Sequence, residues 1–419
     1  MEKRENSRRR GAITSLTRWL LSIFILFILV AALFIAFKDL NLPSNHYQNF
    51  RAEGLSLKES LPSALLYLKK YIHKSYRASD STVREFKKEG EKIVELGSNE
   101  RREIEGKEWI RLSFVGDIMW IRNGWNTFLS DSLRQYLQSS HLLFGNLETP
   151  IDTLSPVPFI LPDYTKYNSP PKLLRSFRRE DGTNLFTALS VANNHTIDTG
   201  IEGLERTIAF LKSEKIECCG AGSAKEYLII EKEGIKIGFY AASWGLNEPQ
   251  KLLSRDLNYN LLSGIAPLDR EKINIEKEKR IISEIKREGA EIIVFYLHWG
   301  YEFEYYPDPQ IVKLGRALAQ EGVDIIIGSH PHVIQPDELY YYKGSDGQLC
   351  RSYIAYSLGN FTTTMYTKAC RRGAIKSFYL YRDTLTGKVI WTIPENRLVY
   401  NHFPIFWSRS RVLRLLPDR

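Results

Sequence analysis

Five short apolar runs in this chain each lead into residues that can hold a cation or move a proton. That regularity limits the fold more than any other feature. Residues 111–115 run into Gly116-Asp117, and 141–144 into Gly145-Asn146-Leu147-Glu148. Residues 186–191 run into Asn193-Asn194-His195, and 292–297 into His298-Trp299-Gly300. Residues 324–327 run into Gly328-Ser329-His330-Pro331-His332. Helical patterns at 200–214, 276–288 and 309–321 lie between such runs, the last two passing through Glu-Gly into the next strand. Strands alternating with helices indicate an α/β sheet. In open α/β sheets ligands bind at the carboxyl ends of strands, so these polar residues are expected to meet along one sheet edge. Later runs at 340–342, 352–356, 378–381 and 388–392 read as hairpins completing a second sheet.

Carboxylate, amide and imidazole donors together suit borderline or hard divalent metals (Mn, Zn, Fe or Mg), with Mn, Zn or Fe the expected occupants, and the set contains no thiolate. Two metals sharing a carboxylate at about 3.5–4 Å separation would clamp the attacking and leaving oxygens of a phosphoryl centre. Each residue taken alone has a plainer explanation. Asp117 after a glycine suits a turn or helix cap, and Asn193 and Asn194 suit a turn. His298 beside Trp299 suits a hydrogen-bonded core histidine, and Thr199 with Glu202 has capping-box spacing. The combination outweighs these, because four of only eight histidines sit at strand ends. His330 and His332, two apart, would point to one side of an extended exit.

Composition limits the alternatives. With 43% hydrophobic and 26% charged residues, the 419-residue chain can bury a large core. The formal charge of +9 invites a nucleic-acid reading. However, residues 1–18 carry +4 and residues 401–419 carry +3, leaving +2 for the body. No phosphate-tracking face is expected, and no nucleic-acid partner. Residues 19–37 are apolar except for Ser22, long enough to cross a hydrocarbon core of about 30 Å. The preceding basic segment predicts a single-pass anchor with the N-terminus in the cytoplasm and the main domain outside the cell membrane. The alternative is a cleaved signal peptide, against which the length of the apolar run argues. The expected division is a cytoplasmic basic segment (1–18), a transmembrane anchor (19–37), a helical stalk or cap (38–108), the main domain (109–400) and a basic amphipathic tail (401–419). That tail either returns to the membrane surface or packs as a terminal segment. Cys218 and Cys219 read as buried strand residues, and Cys350 and Cys370 as a pair that could bridge in an oxidising compartment.

Six motifs then carry a family likeness. In order they are Gly116-Asp117-Ile118-Met119, Gly145-Asn146-Leu147-Glu148-Thr149-Pro150, and the run from Asn193 to Gly200. His298-Trp299-Gly300-Tyr301-Glu302, the run from Gly328 to Gln335, and Ser357-Leu358-Gly359-Asn360-Phe361 follow. The series resembles the CapA family of poly-γ-glutamate capsule biosynthesis proteins, related to calcineurin-like metallophosphoesterases. The resemblance covers about residues 110–365 and implies a four-layer αββα sandwich behind an N-terminal transmembrane helix. It implies that Asp117, Glu148 (as bridge), Asn194, His298, His330 and His332 ligate metal. It also implies that His195 is the general acid, that Asp198 orients it, and that Asn146, Glu302, Gln335 and Asn360 contact substrate or support the ligands. Met119 stands where the wider superfamily usually has a ligating His.

Three readings follow. The first is a metal-dependent envelope hydrolase or transferase working with a metal-activated nucleophile. The second is a non-catalytic component that handles an anionic polymer such as poly-γ-glutamate beside synthase or export proteins. The third is an envelope phosphatase or phosphodiesterase unconnected with capsule.

Overall fold

The computed structural model describes residues 69–72, 74, 78–121, 124–158, 166–247, 257–262, 273–344, 347–403 and 410–417. The expected cytoplasmic segment and anchor lie outside the described residues. Among the described residues no helix is long and apolar enough to cross a membrane. The chain divides into two compact units, Met1–His73 and Lys74–Arg419, and the second contains every strand among the described residues.

That unit opens with α1 (Asp80–Glu103), followed by β1 (Ile110–Met119), β2 (Asn126–Leu129), α2 (Asp131–Gln138), β3 (Leu142–Glu148) and α3 (Lys172–Arg175). β4 (Ala188–Ser190), α4 (Gly200–Ser213) and β5 (Glu217–Cys219) come next. A second run comprises β6 (Tyr227–Lys232), β7 (Ile235–Ser243), α5 (Glu276–Arg287), β8 (Ile292–His298), α6 (Pro309–Gln320), β9 (Ile325–Ser329), β10 (Asp337–Lys343) and β11 (Leu349–Ala355). The chain then returns through β12 (Asn360–Thr362), β13 (Arg372–Arg382), β14 (Val389–Trp391), β15 (Glu395–His402) and β16 (Ser410–Leu415).

The first sheet has the order β2-β16-β15-β13-β1-β3-β4-β5, with β12 paired to β1 and β14 to β13. The second has the order β10-β11-β9-β8-β7-β6. β1, β3, β4 and β5 run parallel, as do β7, β8 and β9. The sheets face each other through one apolar cluster that includes Phe114, Phe144, Phe239, Tyr296, Tyr353 and Phe378. Phe144 meets Phe239 across the interface at 4.7 Å between ring centroids, and Tyr353 meets Phe378 at 5.3 Å. Each such aromatic contributes about 1.5–3 kcal/mol by leaving water.

Helices cover the outer faces. Leu133 and Leu137 of α2 and Leu204 and Leu211 of α4 pack with Leu143, Leu189 and Ile375 of the first sheet. Gly238 of β7 lets α5 approach the second sheet, since a Cβ there would fall 2.1 Å from Ile285 Cγ2. α6 packs on β9, β10 and β11. The architecture is a mixed α/β fold of two stacked sheets.

The structure differs from the sequence reading at several points. Of the late hairpins, β10 and β11 complete the second sheet, but β13 and β14 join the first. β13 is buried along most of its length and pairs with β1 over Ile110–Val115, the position its two apolar faces require. Part of the expected tail is β16, inserted between β15 and β2. Part of the segment read as a helical stalk or cap is α1, which is helical and packs closely rather than loosely: its Phe86 meets Tyr356 edge-on at 5.7 Å and its Glu100 accepts from Arg351 and Ile393 N. The capping box at Thr199 does not form. That residue is not extended (φ −104°, ψ 18°) and its hydroxyl makes no cap bond. Cys218 and Cys219 are buried on β5, and all four cysteines are free.

Two of these contacts can be tested directly. A Cβ on Gly116 would lie 1.9 Å from the Gly359 carbonyl oxygen, which belongs to backbone and cannot swing aside. Gly116→Ala should cost roughly 2–3 kcal/mol, read as a lowered urea midpoint in far-UV circular dichroism. The second concerns Asp152, just after β3, which takes a two-pronged bond from Arg206 of α4 at 2.6 and 2.7 Å. That bond, aided by Ser155 and Leu154 N, holds its carboxyl well below the usual range. A depressed pKa adds stability above the unfolded value of about 4, which is lost as pH falls toward the folded value. Arg206→Gln should therefore lower the melting temperature at pH 6, and the gap from the parent should narrow below about pH 4.

Candidate metal centre

The site forms where the carboxyl ends of β1, β3, β4, β8 and β9 meet. β1 and β3 pair in parallel, which places Asp117 beside Asn146 and Met119 beside Glu148. Their register breaks between Phe114 and Asp117, a bulge that re-aims the strand end. Past the bulge Asp117 N bonds to Gly359 O at 3.0 Å, and Tyr296 of the second sheet donates to Val115 O at 2.7 Å. One irregular stretch thus ties both sheets to the site.

Two groups of donor atoms lie within 4.8 Å of one another: Asp117, Glu148 and His298, and Glu148, His330 and His332. All five residues are buried and Glu148 belongs to both groups. Its two carboxylate oxygens have no hydrogen-bond partner, although water is excluded. Burial, then the charges of Asp117 and Glu302, pushes the Glu148 carboxyl well above the usual range. Burial pushes His298 and His330 well below theirs. Burial also opposes charge on His332, but Asp117 and Glu302 outweigh it and raise that pKa.

The ring orientations are set from behind. His332 Nδ1 faces Asn360 Oδ1 at 3.0 Å, which turns Nε2 toward Glu148 Oε1 at 3.7 Å. His298 Nδ1 lies 3.0 Å from Ser329 Oγ, while Nε2 lies 2.9 Å from Asn194 Oδ1 and 3.6 Å from Glu148 Oε1. Asn146 donates to Asp117 Oδ1 at 2.8 Å, and Asn193 in turn donates to Asn146 Oδ1 at 3.1 Å. His330 N donates to Asp117 Oδ2 at 3.1 Å, and its ring Nδ1 has no partner. The two loop histidines do not leave β9 in extended form. Their φ angles are +95° and +57°, a conformation costing about 1–3 kcal/mol each in non-glycine residues. Both rings reach Glu148 by this strained backbone rather than by strand alternation.

His195 sits beside this group. Its Nδ1 lies 2.6 Å from Asp198 Oδ2, which also accepts from Tyr167 N at 2.6 Å. The Tyr167 ring stacks on the imidazole at 3.7 Å with 6° between planes. Glu302 Oε1 lies 4.0 Å from His332 Nε2, at the margin of the site. Gln335 is buried and donates to Glu304 O at 2.8 Å, bracing the backbone that follows Glu302. Sequence reasoning assigned no role to Asn193, Asn247, Ser329 or Tyr167. Asn247 accepts from Asn194 Nδ2 at 3.0 Å and approaches His195 Nδ1 at 3.2 Å. Asn193 and Ser329 stand within recognised motifs and could have been found, whereas Asn247 and Tyr167 lie in loops with no pattern of their own.

The donor set fits a divalent cation. A buried carboxylate with both oxygens unpartnered, ringed by neutral imidazoles and an amide oxygen, is costly by itself and suited to coordination.

Comparison with known proteins places the chain in a family. A family model described as "Bacterial capsule synthesis protein PGA_cap" matches residues 111–365. The PGA biosynthesis protein CapA of Bacillus subtilis (strain 168) is 30% identical over 289 residues, 65% of this chain and 68% of that protein. The capsule biosynthesis protein CapA of Bacillus anthracis is 27% identical over 312 residues, 69% of this chain and 68% of that protein. Among solved structures, a 5'-nucleotidase precursor from Thermus thermophilus aligns with a TM-score of 0.38 and 14% identity, covering 69% of this chain and 54% of that one. The chain belongs to the bacterial capsule synthesis protein family that the PGA_cap model describes.

Proposed function

We propose that this chain is a membrane-anchored, extracytoplasmic protein of poly-γ-glutamate capsule synthesis. Its buried site holds divalent metal, two ions of the Mn, Zn or Fe class, for hydrolysis or group transfer on an envelope polymer. One observation carries the reading: the unpartnered Glu148 carboxylate is common to both donor groups. Asp117, Glu148 and His298 would hold one ion with the Asn194 amide oxygen beside them, and Glu148, His330 and His332 the other. Bound ions would polarise a phosphoryl or acyl oxygen and lower the pKa of a water nucleophile.

The chain's own groups do the rest. His195, with Nδ1 engaged by Asp198, presents Nε2 as the atom that hands a proton to a leaving group. Asn360 and Ser329 fix the ring orientations of His332 and His298, so the ligand atoms are set before substrate arrives. The anchor at 19–37 keeps this site beside the membrane, next to synthase or export partners. Met119 favours a second reading, in which the site binds metal and polymer without turnover. This side chain is apolar and buried, and it supplies no nitrogen at the strand end.

Metal content is the primary test. The full chain, purified in detergent without chelator, should contain up to two equivalents of Mn, Zn or Fe by elemental analysis. Asp117→Asn/His332→Ala should lose them. A parent that stays metal-free after reconstitution would sink the proposal. Turnover of γ-glutamyl or phosphoester substrates that disappears in His195→Ala separates the enzyme from the binding component. Asn360→Ala should keep the fold yet weaken metal affinity about 10–100-fold, because His332 loses its orienting partner. Calorimetric titration with Mn²⁺ or Zn²⁺ reads that change, and unaltered affinity would remove Asn360 from the site.

A further inference from the structure

The stretch from the end of β12 to the first residue of β13 carries three cations that form no ion pair among the described residues. Residues 358–382 contain no Asp or Glu. Farther along β13, Lys376 pairs with Asp337 and Arg382 with Glu291. Lys368, Arg371 and Arg372 form no ion pair among the described residues, and Lys368 and Arg372 are exposed. The cations farther along the strand, Lys376 and Arg382, are thus neutralised, and those at and just before its start are left open.

This segment is held in place rather than loose. Thr363 N donates to Asn401 Oδ1 at 3.0 Å, and Asn401 N donates to Arg371 O at 2.8 Å. Cys370 N and Arg371 N both bond back to Thr367. The Arg371 guanidinium lies 3.8 Å over the Phe403 ring. The segment also joins the metal site through a single side chain. Asn360 Nδ2 donates to Cys370 O at 3.0 Å, while Asn360 Oδ1 meets His332 Nδ1 at 3.0 Å. On the other side, Arg372 is close enough to Tyr305 to lower its pKa, against the burial that raises it. Tyr305 stands three residues beyond Glu302, and Lys74 Nζ lies 5.2 Å over the same ring. Of the three cations, Arg372 therefore stands near the loop that carries Glu302.

We infer that Lys368, Arg371 and Arg372 form an anion-binding rim that holds successive carboxylates of a linear polyanion across the mouth of the metal site. Unpaired positive charge beside a cleft raises the local concentration of an anionic ligand. Guanidinium groups at a fixed backbone geometry suit carboxylates. The inference rests on the metal-site reading for what lies beneath the rim, and it deepens that reading by assigning the residues that select the substrate's charge. Its test is independent of metal.

Fluorescently labelled poly-γ-glutamate is titrated into the full chain in detergent, with anisotropy read at low and high salt. Lys368→Gln/Arg372→Gln, both exposed positions, should weaken binding about tenfold or more and make its salt dependence shallower. The metal content should not change. Lys212→Gln/Lys313→Gln, exposed cations on the outer helices, should bind as the parent does. The rim is overturned if the first variant binds like the parent, if the parent does not bind the polymer, or if polyphosphate of equal charge binds more tightly through the same residues. A metal-free parent that still binds polymer through the rim would sink the metal reading alone.

Discussion

A carboxylate removed from water with neither oxygen bonded is the point on which the site turns. Burying an ionised group without compensation costs several kcal/mol. Glu148 is placed so that no side chain or backbone amide supplies that compensation. The surrounding groups add to the problem as long as no cation is considered. Asp117 and Glu302 add like charge, and the buried imidazoles of His298 and His330 are driven neutral. A divalent cation would offset the carboxylate terms by favouring the ionised form, and it would take the already neutral imidazole nitrogens as ligands. The electrostatics fit a coordination site.

Holding that arrangement places demands on the backbone. The break in the β1–β3 register leaves Asp117 level with Asn146 and Met119 level with Glu148, and the Val115 carbonyl beside it accepts from Tyr296 of the opposite sheet. His330 and His332 both stand at positive φ. Such strain persists only where the surroundings over-determine it. Here they do so through the bond from His330 N to Asp117, the bond from Phe303 N to Pro331 O and the Asn360 bridge. The large apolar interface between the sheets supplies the stability against which these local costs are set.

Much of this was legible in the sequence because the relevant signals are local. The helices at 200–214, 276–288 and 309–321 were readable from apolar spacing, and the structure places them within a residue of those bounds. The polar strand ends were readable because a strand followed by Asp, Asn or His breaks the apolar pattern abruptly. Sheet membership was not legible. β13 reads as part of a hairpin completing the second sheet until its burial on both faces is seen, and β16 reads as a basic tail because Arg411 and Arg414 hide its alternation. The support from Asn247 was invisible for a related reason. It reaches Asn194 and His195 from a separate loop, and a contact between residues so distant in the chain leaves no periodic trace in one sequence. The shape of the His330–His332 exit was misjudged because strand alternation was extended past the strand's last residue.

Met119 shows how an absent donor changes the site without dismantling it. Its position pairs with Glu148 in the parallel register, and its buried thioether occupies space beside the Asp117 end. The donor groups that remain are unequal. One combines two carboxylates with an imidazole and has an amide oxygen beside it. The other has a carboxylate and two imidazoles whose rings lie 6.0 Å apart. His332 partly bridges the difference, with Nδ1 3.6 Å from Asp117 and Nε2 3.7 Å from Glu148. A donor set of this kind can retain cation binding while loosening the symmetry that in-line phosphoryl transfer draws on. Under such a relaxed centre, more of the selectivity passes to whatever positions the substrate. In this fold, positive charge without an ion pair among the described residues stands on the segment that Asn360 ties to His332.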